Sequence, residues 1–396
     1  TFVFLENVLD EVMELFPLEY IHIGGDEAPK FRWENCTKCK KRIIDENLHD
    51  THELQSYFIQ RIENYINSKG RKLIGWDEIL EGGLAQGATV QSWRGFEGAT
   101  EAAKAGHDAI VSPTSHAYFD YGLDAIDLEK VYAFNPIPDG LTTEEAEHII
   151  GGECNMWTER APQNSIDSKV FPRLLAMSEV LWGYPQLRDY PQFYERVQEH
   201  YKRLDVLGVN YGLESEPIHL TSVYKNGSFH ITLKKGIEDL KLYYQINRGD
   251  TLLYDSTFTI SETSNLIAWA LKNNRSYGEP IEKVFYKHKG LDASVSKLNS
   301  YSQSYMSDGD ISVINGLRGG DNFRDGFWQG YFGLDFEAKF AFDSIQRIDT
   351  VISSFYQYSL SWIFMPKRIV VYTSIDGESY YKRAIFDPRV PDNIDG

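Results

Sequence analysis

The sequence predicts a multidomain chain: a parallel α/β segment with the layout of a (β/α)8 TIM barrel, followed by two all-β domains. Three observations predict it. Over the first 212 residues, short apolar runs alternate with segments of helical period. Polar and aromatic residues gather just after each apolar run. At Glu216-Pro217 the helical period stops, and only two-residue alternation follows. Strand and helix in alternation imply a parallel sheet with crossover helices. Barrels of that kind carry their chemistry at the carboxyl ends of the strands.

The elements follow in order. Leu5, Val8, Leu9, Val12, Leu15 and Phe16 recur at helical spacing, and Pro17 ends that helix. Glu19-Tyr20-Ile21 then reads as the end of a buried strand. Asp50 and Glu53 form a capping-box pattern before a helix with Leu54, Phe58, Ile62 and Ile66 on one face, stopped by Gly70. Lys72-Leu73-Ile74-Gly75-Trp76 is the second strand. Residues 88–93 are the third, 98–105 a helix closed by Gly106, and 108–111 the fourth strand. Residues 149–157 read as the last strand, and 171–181 and 192–207 as helices. That makes five strands, where a closed barrel of this type has eight.

Residues 213–289 read as a small antiparallel β-sandwich, with alternating runs at 228–233, 240–246, 264–270 and 284–286. Residues 290–396 are again all-β, with strands expected near 333–340, 348–358 and 369–374, and a turn at Asp376-Gly377. Trp328, Trp362 and the run Phe355-Tyr356-Gln357-Tyr358 suit either core packing or a sugar-binding surface.

Composition narrows the partners. A formal charge of −18 argues against nucleic acid and anionic membranes. No apolar run is long enough to span a bilayer. There are three cysteines: Cys36 and Cys39 in a Cys-x-x-Cys, and Cys154 in an expected strand, where it reads as a buried thiol. A zinc site would need more ligands than His49 and His52 offer, so no metal and no cofactor is expected. A local disulfide between Cys36 and Cys39 is expected if the protein is exported.

The chemistry concentrates at the strand ends. After the first strand comes His22-Ile23-Gly24-Gly25-Asp26-Glu27. Two glycines release the backbone from the pleat, so Asp26 and Glu27 can both reach one cleft. Two carboxylates held together raise the pKa of at least one, as a general acid requires. Trp76, Trp93 and Trp157 each stand at the carboxyl end of an expected strand, and flat indoles stack on pyranose faces. Tyr118 and Asp120 sit at alternate positions, and Glu159 lies two residues after Trp157. Asp77-Glu78 is a rival acid pair, while His22, His116 and Glu153 suit supporting or packing roles.

The string from His22 to Glu27 resembles the His-x-Gly-Gly-Asp-Glu signature of the glycoside hydrolase family 20 β-N-acetylhexosaminidases. That resemblance implies that the five strands are barrel strands four to eight. The first three strands, with a sugar-binding Arg and a further active-site His, would then precede Thr1. It implies Glu27 as general acid and base, Asp26 as the carboxylate that orients the substrate acetamide, and Tyr118 as the donor to its carbonyl. Trp76, Trp93 and Trp157 would wall the sugar, with Asp120 and Glu159 holding its hydroxyls. The implied activity is exo-acting removal of terminal non-reducing GlcNAc or GalNAc by retaining, substrate-assisted hydrolysis, with no cofactor, in an exported protein. The expected partner is a glycan ending in N-acetylhexosamine. The alternative is a catalytically inactive glycan-binding relative, which need not keep Asp26, Glu27 and Tyr118 together. Residues 213–289 resemble the sandwich behind such barrels, of chitobiase carboxyl-terminal type. Residues 290–396 resemble a discoidin-type module cut short. The 396 residues alone are expected to fold poorly or to lack activity, since five strands cannot close a barrel.

Overall fold

The structure is a computed structural model, and it describes residues 1–388. Its first helix, α1 (Phe2–Leu15), stops just short of Pro17, whose ring has no N–H to offer a further turn. Five short strands follow along the chain: β1 (Tyr20–His22), β2 (Lys72–Trp76), β3 (Thr89–Ser92), β4 (Ala109–Val111) and β5 (Ile149–Gly152). They pair in chain order and all in parallel. His22 lies opposite Ile74, Trp76 opposite Gln91, Ser92 opposite Val111, and Val111 opposite Gly152. All five carboxyl ends therefore face one edge of the sheet. The sheet is open, and β1 and β5 have no further strand partner among the described residues.

Three helices separate β1 from β2: α2 (Phe31–Glu34), α3 (Thr37–Asp45) and α4 (Thr51–Ser68). The last of these covers the sheet with buried Ile59, Ile62 and Ile66. Asp50 is its N-cap, accepting from the N–H groups of His52 at 2.8 Å and Glu53 at 3.0 Å. The expected capping box is shifted by one residue, because Glu53 Oε2 accepts from the His49 N–H rather than that of Asp50. Next, α5 (Glu97–Lys104) buries Ala99, Ala102 and Ala103, side chains small enough to bring the helix close against β3 and β4. Leu73, Val90, Ala109 and Val111 fill the sheet side of the core, each with no measurable exposure.

The strand expected at 149–157 is shorter than its apolar run. It ends at Gly152, and the chain then pairs elsewhere. Asn155 donates to the Ala117 carbonyl, and its own carbonyl accepts from Phe119. Cys154 thus lies beyond the strand and is only half-buried.

The chain divides into two compact units, Thr1–Glu216 and Pro217 onward. The second unit begins with eight strands: β6 (Ile218–Lys225), β7 (Ser228–Lys235), β8 (Lys241–Ile246), β9 (Leu252–Leu253), β10 (Phe258–Ile260), β11 (Ser264–Lys272), β12 (Arg275–Ser276) and β13 (Ile281–Phe285). One antiparallel sheet has the order β10-β7-β6. The other has the order β12-β11-β8-β9, with β13 also paired to β11. Phe229, Ile231 and Leu233 of the first sheet and Leu242, Leu266, Ala268 and Phe285 of the second are buried. Phe229 packs on Phe285 at 5.3 Å and Phe258 stacks on Tyr244 at 4.1 Å, which ties the two sheets together. Gly316 sits against this core with φ +80°, where a Cβ would fall 2.6 Å from the Phe229 ring.

Beyond residue 290 the described chain holds two two-stranded antiparallel ladders, β14 (Ser294–Lys297) with β15 (Ala338–Ala341), and β16 (Ile369–Thr373) with β17 (Tyr381–Phe386). The strand expected at 348–358 does not form. Its aromatic residues instead build a cluster, with Tyr356 against Phe323 and Trp328, and Tyr358 against Phe323. Trp328 donates its indole N–H to the Gly320 carbonyl, whereas Trp362 is 83% exposed. No described helix is long and apolar enough to cross a membrane.

The Asp50 cap gives a stability prediction. Asp50→Ala should cost about 1 kcal/mol at pH 7 in urea unfolding followed by circular dichroism. The N–H groups of Glu53 and His52 hold the Asp50 carboxyl below its ordinary range. A carboxylate with a lowered folded pKa stabilises above its unfolded pKa and loses that contribution as pH falls through the folded one. The difference between wild type and variant should therefore shrink on acidification below about pH 4.

Candidate active site

The site starts where β1 ends. Ile23 still donates to the Ile74 carbonyl at 2.9 Å, and the Gly24 carbonyl still accepts from Trp76 at 2.9 Å. Between these bonds and Asp26 the backbone turns sharply, with φ +76° at Gly24 and +102° at Gly25. A Cβ on Gly25 would lie 2.7 Å from Ile79 Cγ2, so only glycine fits there without displacing that side chain. Glu27 is itself left-handed at φ +47°, which is costly for a residue with a side chain.

A clasp holds this turn from both sides. Gln55, buried on α4, donates to the Gly25 carbonyl at 2.8 Å. Lys30 Nζ donates to the Ala28 carbonyl at 3.1 Å and also to Gln55 Oε1. The carbonyls flanking Asp26 and Glu27 are thus fixed, while both acid side chains remain exposed.

Four rings stand over the strand ends in a closed circuit. Trp76 meets Trp93 at 6.4 Å between centroids, Trp93 meets Tyr118 at 6.2 Å, Tyr118 meets Trp157 at 6.5 Å, and Trp157 meets Trp76 at 6.2 Å. The His22 ring packs edge-on against Trp76 at 4.8 Å, and its Nδ1 accepts from the Gly24 N–H. Burial lowers the His22 pKa, with Asp26 and Gln91 pulling it the other way. An Nδ1 acceptor bearing no proton agrees with that direction. Burial also raises the Tyr118 phenol well above its ordinary value, assisted by Tyr121, Asp120 and Asp26. Tyr118 therefore stays a hydrogen-bond donor across the physiological range.

Asp120 is 3% exposed, and its Oδ1 has no hydrogen-bond partner among the described residues. Asn155 Nδ2 is in the same condition, and Asn155 bridges to Tyr118. Unpaired buried polar atoms are expensive and are most often kept for a ligand or water. The loop carrying Asp120 is held through its carbonyls. Arg173, 1% exposed, donates to the carbonyls of Phe119, Tyr121 and Ile126, and Lys169 donates to the Asp120 carbonyl at 2.6 Å. Burial brings the Arg173 pKa down to about 10.

The rival acids, Asp77 and Glu78, are buried and committed. Asp77 accepts from Arg94 Nε at 2.8 Å, and Glu78 accepts from the Trp93 indole N–H at 2.9 Å. Burial raises Asp77 to about 6 against the pull of Arg94. Both acids thus grip the residues that follow β3.

The structure brings Trp76, Trp93, Tyr118 and Trp157 together, with Asp26 close enough to act on Tyr118. Asp120 lies buried two residues from Tyr118, and Glu159 is exposed two residues past Trp157. His116 is not part of the circuit; it packs between Phe96 and Phe134. Glu153 accepts from Gln91 at 2.8 Å in a supporting role. Sequence reasoning missed Lys30, Gln55, Asn155 and Arg173. Arg173 carried a signal, an arginine at the head of an apolar helix; the others carried none. No cluster of three or more metal-ligating side chains occurs among the described residues, and Cys36 and Cys39 are free thiols.

Residues 1–185 match the family described as glycosyl hydrolase family 20, catalytic domain. The chain is 44% identical over 223 residues to a β-hexosaminidase of Porphyromonas gingivalis, covering 53% of this chain and 29% of that protein. It is 32% identical over 198 residues to a β-hexosaminidase of Vibrio furnissii, covering 45% of this chain and 32% of that one. Among solved structures, it is similar to the β-N-acetylhexosaminidase of Bacteroides fragilis, with a TM-score of 0.50 and 31% identity over 54% of this chain and 46% of the other. It is also similar to the family 20 exo-β-N-acetylglucosaminidase of Vibrio harveyi in complex with N-acetylglucosamine, with a TM-score of 0.51 and 30% identity over 54% and 36%. The chain thus spans about a third of the curated relatives it matches. The family 20 catalytic-domain match thus rests on residues 1–185, just under half of the chain.

Proposed function

We propose that this site is that of an exo-acting β-N-acetylhexosaminidase, working by retaining, substrate-assisted hydrolysis. The five parallel strands are taken as strands four to eight of a (β/α)8 barrel, which their shared direction and their single functional edge support. The observation that carries the reading is the ring circuit beside an unpaired buried carboxylate. A pyranose stacks on an indole, its acetamido group is shielded by the remaining rings, and a hydroxyl satisfies Asp120 Oδ1.

The chemistry then follows from the side chains. This family departs from the two-carboxylate double displacement of other retaining glycosidases. The substrate's acetamido oxygen attacks the anomeric carbon, and the nucleophile gains the effective concentration of an intramolecular reaction. Glu27 gives a proton to the leaving oxygen and later takes one from water. Asp26 accepts from the acetamide N–H and balances the positive charge that develops on the ring formed. Tyr118, kept protonated by burial, donates to the acetamido oxygen. Glu159, exposed two residues past Trp157, suits a second sugar hydroxyl. Asp26, Glu27 and Tyr118 all being present favours an enzyme over a binding relative.

Two outcomes test the reading in the protein that carries this chain. Aryl β-N-acetylglucosaminide should be cleaved and aryl β-glucoside, which lacks the acetamide, should not; equal rates on both would contradict substrate assistance. Glu27→Gln keeps shape but cannot deliver a proton, so kcat on a poor leaving group should fall about a hundredfold to ten-thousandfold. Glu78→Gln keeps an acceptor for Trp93, and its loss should stay under about tenfold, the worth of one altered hydrogen bond. The reverse ranking would move the acid to Asp77-Glu78.

A further inference from the structure

Cys36 and Cys39 take no part in the site above. Cys36 is the N-cap of α3, in extended conformation at φ −90° and ψ 122°. Thr37, Lys38 and Cys39 are then the first three helical residues. The side chains at N-cap and third helical position face each other across the first turn, which is the geometry a capping box exploits. Here both positions hold thiols, free and half-buried. Around them stand the first-turn N–H groups of a nine-residue helix and the exposed Lys38.

We propose that Cys36 and Cys39 form a thiol–disulfide exchange site, Cys36 attacking and Cys39 resolving, whose reaction partner is a small anionic disulfide of the glutathione type. The proposal is independent of the glycosidase reading. The electrostatics agree with the geometry: the Cys39 and Lys38 N–H groups, the Cys39 thiol and the Lys38 charge hold the Cys36 thiol below its ordinary range. Burial and the neighbouring Cys36 push Cys39 up. A lowered attacking thiol beside a raised resolving one is the division of labour such exchange needs. Cys154 offers a contrast, since burial and Glu153 raise its thiol. A metal site is the weaker reading, because no third ligand stands with the pair among the described residues.

The steps balance without another oxidant. The Cys36 thiolate attacks one sulfur of glutathione disulfide, forming a mixed disulfide and expelling one glutathione thiolate, which takes up the proton Cys36 lost. Cys39, on losing its proton, attacks the Cys36 sulfur. The Cys36–Cys39 bond forms, and the second glutathione leaves and is protonated. Two protein thiols are oxidised while one disulfide is reduced to two thiols.

The test uses the protein that carries this chain, reduced and then incubated with excess glutathione disulfide, quenched in acid, alkylated and mapped by mass spectrometry. The wild type should lose the Cys36 and Cys39 thiols together and retain no glutathione. Cys39→Ser should trap glutathione on Cys36. Cys36→Ser should react at least about tenfold more slowly, as the thiolate fraction falls. In the wild type, brief alkylation should label Cys36 ahead of Cys39 and Cys154, which needs no variant to fold. At low salt, glutathione disulfide should react faster than cationic cystamine, with the gap closing as salt is added. Capture on Cys39 first, persistence of both thiols in excess disulfide, or labelling of Cys36 no faster than Cys154 would each overturn the exchange site. Equal rates with cystamine at low salt would overturn the anionic partner.

Discussion

The candidate site depends on one backbone event, the departure of the chain from β1 while it is still bonded to β2. Ile23 and Gly24 keep their bonds to Ile74 and Trp76, so the strand's direction is fixed up to the turn. Gly24 and Gly25 then turn through left-handed conformations, and Ile79 occupies the space a side chain at Gly25 would need. Asp26 and Glu27 are delivered to the functional edge by that turn. Glu27 holds an unfavourable φ because Gln55 and Lys30 secure the carbonyls before and after it. Strain of this kind persists only where its surroundings over-determine it.

The two adjacent acid pairs show how environment divides labour between identical side chains. Asp77-Glu78 follows β2 as Asp26-Glu27 follows the β1 turn, yet Asp77 and Glu78 are buried and spent on Arg94 and Trp93. They fix a wall of the ring circuit. Asp26 and Glu27 are exposed, with their bonding capacity left for a ligand. Arg173 and Lys169 do for the Tyr118–Asp120 loop what Gln55 and Lys30 do for the first, holding main-chain carbonyls so that side chains above them stay free.

The sheet was readable because its strands are short apolar runs between turn residues. The run after Ile149 misled, since apolarity alone does not say where pairing stops; Asn155 leaves the ladder to bond the chain at Ala117 and Phe119. The alternation at 348–358 misled for a related reason, aromatic residues being satisfied by Phe323 and Trp328 instead of by a strand partner. Trp76, Trp93 and Trp157 stood out by their places at strand ends, and the structure brings their rings together. The clasp of Lys30 and Gln55 was not readable, because two side chains 25 residues apart meet each other and bond the backbone of the turn, which leaves no periodic trace.

The central claim is that the rings and acids enclose a substrate whose acetamide closes onto its own anomeric carbon. The most direct measurement is the affinity, by calorimetry, of the protein that carries this chain for a thiazoline fused across C1 and C2 of the pyranose, a stable likeness of that closed ring, against N-acetylglucosamine itself. A site complementary to the cyclised species should bind the thiazoline about a hundredfold or more tightly. Equal affinity for the two would contradict the account.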